Sequence, residues 1–223
     1  MRFLRVLAVA AGFTALLAQS SAAQEGRQFK DAWFWGVKGG ATSFNSAATS
    51  RGGAPLVGAD WLITRSRGGL YLSFDQAFFT TQGGFVDRDV DSVFVRPVDL
   101  TNMRRFTMAA MVFPMQTRTM HPYAGFGLSF NQVAAAALLT GATSGQRYQV
   151  ALDSIQSRKT AFSPILIAGV QSQRKRFSLF VQGTASPTQQ AFFLSNSGGS
   201  AFNVSLELGA RYNVGTSIDR GTR

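Results

Sequence analysis

Cysteine is absent from all 223 residues, so neither a disulfide nor a thiolate metal site nor a thiol nucleophile contributes to this fold. Histidine occurs once, at His121, which leaves zinc without a ligand set and a His-based hydrolase with a single possible base. Long apolar runs are missing too. Past residue 23 nothing approaches the roughly 20 apolar residues of a membrane-spanning helix, and the longest candidate, 133–139, is far too short. Acidic residues are scarce, 11 against 22 Lys and Arg, for a formal charge of +11. Such a balance raises the question of nucleic acid. The cations are scattered through turns instead of lining one face, however, and the start of the chain directs it out of the cytoplasm. They read as contacts to phosphates of lipid or lipopolysaccharide, or as solvated turns.

That start is the first thing present. Met1-Arg2-Phe3-Leu4-Arg5 is basic, residues 6–18 are apolar, and Ser21-Ala22-Ala23 offers small residues to a signal peptidase. Residues 1–23 are therefore expected to be a cleaved signal peptide, with no Cys behind them to carry a lipid anchor. Residues 24–214 form the expected folded body and 215–223 a short tail.

The body divides into eight stretches of period-2 alternation, the pattern of half-buried strands, at about 33–44, 55–64, 70–80, 103–113, 122–131, 161–171, 177–185 and 201–214. The last alternates most cleanly, with Phe202, Val204, Leu206, Leu208, Ala210, Tyr212 and Val214 against Asn203, Ser205, Glu207, Gly209, Arg211 and Asn213. The sixth is blurred by Ile165 and Ile167, which stand on the face opposite to Phe162, Leu166, Ala168 and Val170. Links alternate in length. Those at 65–68, 114–121 and 172–176 are short, while 45–54, 81–102, 132–160 and 186–200 are long. Short turns at one rim and long loops at the other characterise a transmembrane barrel.

Six charged residues fall within these stretches, Lys38, Asp60, Asp75, Arg105, Glu207 and Arg211, and all six share the less apolar parity. Arg104 has the other parity and is expected at a strand end, within reach of lipid phosphates. A cation facing hydrocarbon at the midplane costs about 2–4 kcal/mol, so selection clears that face. Inside a narrow barrel, charges must pair. The set is balanced, three basic and three acidic, and predicts an interior ionic network without a wide aqueous pore. Asp75 is expected near Arg105, and Lys38 near Asp60 or Glu207; Arg211 has no partner that the strand order suggests. Trp33, Trp35, Trp61 and Tyr212 are expected as an aromatic girdle at the short-turn rim, with Phe78, Phe130, Phe162 and Phe202 at the other.

By this point the chain resembles the small outer-membrane β-barrel superfamily, which includes the transmembrane domain of outer membrane protein A and its eight-stranded relatives. The stretch Pro122-Tyr123-Ala124-Gly125-Phe126-Gly127-Leu128 resembles the P-Y-x-G-x-G strand start common there, and the final strand resembles the one read by the barrel-assembly machinery. The resemblance implies an all-β, eight-stranded antiparallel up-and-down transmembrane barrel in the cell outer membrane, monomeric, with outer-membrane lipid and lipopolysaccharide as partners and the assembly machinery during biogenesis. Two features depart from the pattern. Gly215 to Arg223 follow where an aromatic terminus is usual, and the short turns are basic (Arg65, Arg67, Arg118, Arg174, Lys175, Arg176) while one long loop is acidic (Asp87, Asp89, Asp91, Asp99).

Other motifs are weak. Asp87-x-Asp89-x-Asp91 lacks the Gly and Glu of a calcium loop, with Ser92 and Val98 in their places, so a solvated loop or hairpin tip is the plain reading. Gly125-x-Gly127 lacks a strand–turn–helix context, and 141–145 lacks the Lys-Ser/Thr of a phosphate loop. The Ala-rich segment 133–139 is expected as a short helix or plain loop in the third long link. No catalytic residue, metal or cofactor is assigned. The expected function is a structural or surface-exposed barrel with a filled interior and long outer loops, serving adhesion or envelope integrity. The rivals are a narrow channel for small or hydrophobic solutes and a secreted lipocalin-like binding barrel.

Overall fold

A strand that is apolar at every second position can bury one face only. Several such strands escape exposed backbone edges by closing on themselves. The computed structural model of the chain, which describes residues 29–45, 52–86, 95–115, 117, 119–138, 146–187, 192–194 and 202–216, is a closed barrel of this kind. Its strands are β1 (Ala32–Phe44), β2 (Gly52–Arg65), β3 (Gly68–Val86), β4 (Val95–Val112), β5 (Met120–Leu138), β6 (Thr160–Arg174), β7 (Phe177–Pro187) and β8 (Phe202–Thr216). Each pairs antiparallel with its sequence neighbours, and β8 closes onto β1. The all-β, eight-stranded up-and-down architecture is therefore the one the alternation implies.

The strands run longer than their periodic cores. β3 and β4 continue as one hairpin through most of 81–102, and β2 starts at Gly52. The Ala-rich segment is not helical. Residues 133–138 extend β5, where Val133 packs inward and pairs with Met103, so cross-strand pairing overrides the helix preference of Ala. The helix of that link is α1 (Gln146–Arg158) instead. His121 belongs to β5 and not to the preceding turn, and β8 runs two residues past Val214. Asp87-x-Asp89-x-Asp91, Arg118 and residues 1–23 and 217–223 lie outside the described residues.

On the outer wall Phe74, Phe106, Phe130 and Phe162 stand in register across β3 to β6. One outward step higher the same strands carry Gln76, Arg104, Gln132 and Thr160, again in register. That pair of rows marks where the apolar wall ends. Arg104 is consequently not at a strand end. It lies in the middle of β4 because β3, β4 and β5 continue past the edge of the apolar band. From Gln76 the wall of β3 rises by about 30 Å of extended strand. At its foot Asn102 adopts a left-handed φ of 57°, and its Oδ1 accepts the Phe79 N–H at 3.2 Å, holding the irregularity between Ala77 and Thr80.

The interior is layered. Toward the short turns Phe34, Leu62, Met111, Phe113, Ile165 and Ile167 are buried together. Ile165 and Ile167 face inward because this end of the bore is apolar. Phe29 closes the end, stacked on His121 at 4.0 Å, and Thr64 Oγ1 donates to the Phe29 carbonyl. Toward the long loops Leu56, Val98, Leu100 and Met103 meet Ile155 of α1 and Phe193. Backbone bonds from Val133 N to Lys159 O (2.8 Å) and from Phe193 N to Arg158 O (3.2 Å) fasten these segments over the mouth. Between the two apolar layers lie the charges.

Candidate functional site

Alternation carries six charged side chains inward from five strands, and all are buried: Lys38, Asp60, Asp75, Arg105, Glu207 and Arg211. They form two groups. In the first, Lys38 Nζ lies 2.7 Å from Glu207 Oε2 and 2.8 Å from Asp75 Oδ1, and donates to the Tyr71 hydroxyl at 3.0 Å. Arg105 stands beside Asp75 in the β3–β4 register, with Nε 3.1 Å and Nη2 3.0 Å from Asp75 Oδ2. Its Nη2 also pairs with Glu207 Oε1, and its Nη1 donates to Ser205 Oγ at 3.0 Å. Two cations face two carboxylates, so the group is neutral.

In the second group Arg211 Nε donates to Asp60 Oδ1 at 2.8 Å, Nη2 to Asp60 Oδ2 at 3.2 Å and Nη1 to Gln171 Oε1 at 2.6 Å. The guanidinium lies 3.7 Å from the Phe180 ring centroid, a distance suited to cation–π contact. Gln182 joins the groups. It donates to Glu207 Oε2 at 2.8 Å and Tyr71 OH at 3.0 Å, while Tyr123 OH donates to its Oε1 at 2.9 Å. Charges taken out of water are tolerated only when paired and bonded in this way.

Two pairings differ from what strand adjacency suggests. Lys38 reaches Asp75 and Glu207 but not Asp60, and Asp60 instead holds Arg211. Both differences have the same cause. Gly36 sits between Asp60 and Arg211 in register, and Gly58 sits between Lys38 and Asp75. A Cβ on Gly36 would stand 2.7 Å from both Arg211 Cγ and Asp60 Oδ1, and one on Gly58 would collide with the Asp75 carboxylate. The bare backbone of the middle strand thus lets side chains two strands apart meet. The signal in the sequence is an inward-parity Gly, legible only once the register is known. Tyr71, Tyr123, Gln171 and Gln182, absent from the sequence-derived set, belong to the same polar layer.

This layer offers little chemistry. Its carboxylates are engaged by cations, and among the described residues no group of His, Cys, Asp or Glu is arranged to hold a metal ion. His121 stacks on Phe29 in the apolar layer with Nδ1 unbonded among the described residues, apart from the ionic groups.

The outer wall carries the girdle residues. Trp33 is 37 % and Trp35 56 % exposed, and both pack on Trp61, at 5.4 and 5.5 Å between centroids. Tyr212 is in register with Trp35 on one side and with Phe177 on the other. Phe78, Phe162 and Phe202 are exposed toward the other end and Phe130 is half-buried against Phe162.

No protein-family model matches the chain, and no curated protein matches it in sequence. Among solved structures the chain is similar to Ail, the attachment invasion locus protein of Yersinia pestis, at 12% identity and a TM-score of 0.49, over 83% of this chain and 99% of that one. It is also similar to Neisserial surface protein A, at 11% identity and a TM-score of 0.52, over 81% of this chain and 96% of that one. Identity this low speaks for the fold alone, a closed antiparallel barrel shared with Neisserial surface protein A.

Proposed function

We propose that the chain is an outer-membrane barrel with a structural, surface-presenting role, its interior sealed and its raised β3–β5 wall and long links displayed outside. The observation that carries this is the inversion of the usual soluble arrangement. Val37, Phe126, Leu128, Phe162, Leu206 and Leu208 are each more than half exposed, while Lys38, Glu207 and Arg211 are buried. In water that wall would be an aggregation surface far larger than a soluble monomer tolerates. In hydrocarbon it is the favourable one, and β8 pairs back onto β1 to close the ladder.

The same inversion argues against a lipocalin-like binding barrel, which needs an apolar bore and a polar exterior. A solute channel is disfavoured by two apolar layers that bracket a bonded ionic one. An enzymatic reading finds no base bonded to a nucleophile among the described residues of the bore, where the one imidazole, His121, stacks on Phe29 apart from the ionic groups. Short turns placed on the periplasmic side would leave the α1 link and the β3–β4 hairpin outside. The test is fractionation with heat-modifiable gel mobility. Recovery with detergent-extracted outer membranes and a faster-migrating unheated band are expected; recovery in the soluble periplasm would overturn the reading.

A further inference from the structure

The short-turn rim carries an uneven charge. Lys30 before β1, Arg65 and Arg67 at the β2–β3 turn, and Arg174, Lys175 and Arg176 at the β6–β7 turn are all exposed. Among the described residues at this rim Asp31 is the one carboxylate, and its Oδ1 accepts the Ser66 N–H at 3.3 Å. The two basic turns are four strands apart in a ring of eight, so the cations lie on opposite sides of the rim. They are also continuous with the aromatic outer wall. Arg176 Nη1 donates to Tyr212 OH at 3.0 Å, and the Tyr212 ring meets Phe177 edge-on at 5.1 Å. Asn213 N bonds to the Arg176 carbonyl at 2.7 Å, which fastens this turn against β8.

The turns are tight and their geometry is demanding. Ser66 and Lys175 each open a two-residue turn with a left-handed φ, 53° and 58°. Glycine is the residue suited to that conformation. A lysine there carries a charge at a position where backbone preference argues against it.

We propose that this rim is a basic collar for the headgroups of anionic phospholipids in the adjacent leaflet. The proposal rests on the membrane-spanning reading above. Cations placed one step beyond an interfacial aromatic belt stand where lipid phosphates stand. The bore at this end is filled by Phe29 and Phe113, so the positive charge belongs to the circumference of the wall, beside lipid, and not to a central pit. Each cation that meets an anionic headgroup contributes about fivefold to local enrichment at low salt, and screening removes that gain.

The chain supplies its own probe. Its three tryptophans, Trp33, Trp35 and Trp61, all lie near this rim. The full barrel would be reconstituted in phosphatidylcholine vesicles containing either phosphatidylglycerol or phosphatidylcholine with brominated chains, and tryptophan quenching compared. Brominated phosphatidylglycerol should quench at about one-fifth the mole fraction or less at low salt. The preference should vanish at high salt and in the variant combining Arg65→Gln, Arg67→Gln, Arg174→Gln, Lys175→Gln and Arg176→Gln, whose folding is checked by heat-modifiable mobility. Equal quenching by the two lipids overturns the collar and leaves the membrane reading standing, as does a preference that survives in the folded glutamine variant. If neither lipid quenches, the membrane reading itself fails.

Discussion

Arg211 on β8 and Asp60 on β2 are joined over the bare backbone of Gly36 on the strand between them, with Nε 2.8 Å from Oδ1. The pair is not a contact of neighbours. It exists because the intervening residue has no side chain.

Gly36→Ala tests that dependence. The new methyl would press on Arg211 Cγ, Asp60 Oδ1 and the Ala210 carbonyl, at 2.7, 2.7 and 3.0 Å. Forcing extra volume into a packed interior should cost about 1–3 kcal/mol, read as a lower urea midpoint for the barrel in micelles. A midpoint equal to that of the parent would show that the pair does not need the gap.

Asp60→Ala leaves Arg211 buried without its carboxylate partner and should cost about 3–5 kcal/mol. Replacing both partners, Asp60→Leu with Arg211→Met, should recover most of that loss. If the double variant is as unstable as the single one, the cost lies in packing and not in an uncompensated charge.

Depth on the outer wall gives a second pair of variants. Leu128→Arg places a cation in the apolar band and should cost about 2–4 kcal/mol, whereas Gln132→Arg, in the polar row with Arg104, should cost about 1 kcal/mol or less. Equal penalties in bilayer unfolding would mean that the Phe and Gln/Arg rows do not mark an edge.

Conductance follows from the layering. In planar bilayers the barrel should show no porin-sized steps, and Ile155→Ala with Phe193→Ala should not create them, because the ionic layer still fills the bore beneath the opened mouth. Large steady steps in the parent chain would contradict a sealed interior.

Backbone strain predicts a gain. Ser66 holds φ 53° at a tight turn, so Ser66→Gly should raise stability by about 1 kcal/mol. No change in unfolding midpoint would place the turn in a conformation that serine accepts freely.

Much of the wall is legible in the sequence. Inward and outward faces were readable at Lys38, Asp75 and Phe126 because the period of two is a property of the strand itself. Segment 133–138 misleads for the opposite reason. Alanine favours helix by its own nature, and its pairing with β4 comes from elsewhere in the chain. Arg104 misleads because β4 continues past the edge of the apolar band, so a residue at that edge is not at a strand end. The helix at 146–158 left little apolar pattern to read, and among its described side chains, 152–158, Ile155 is the buried one.

What the sequence by itself determined is the sidedness of every strand and their even number, because steric alternation and the cost of charge in hydrocarbon act residue by residue. The tertiary structure alone decided who pairs with whom inside. Barrel closure sets the register, and register decides that Gly36 and Gly58 fall between opposite charges, joining Asp60 to Arg211 and Lys38 to Asp75 across a strand that contributes no side chain.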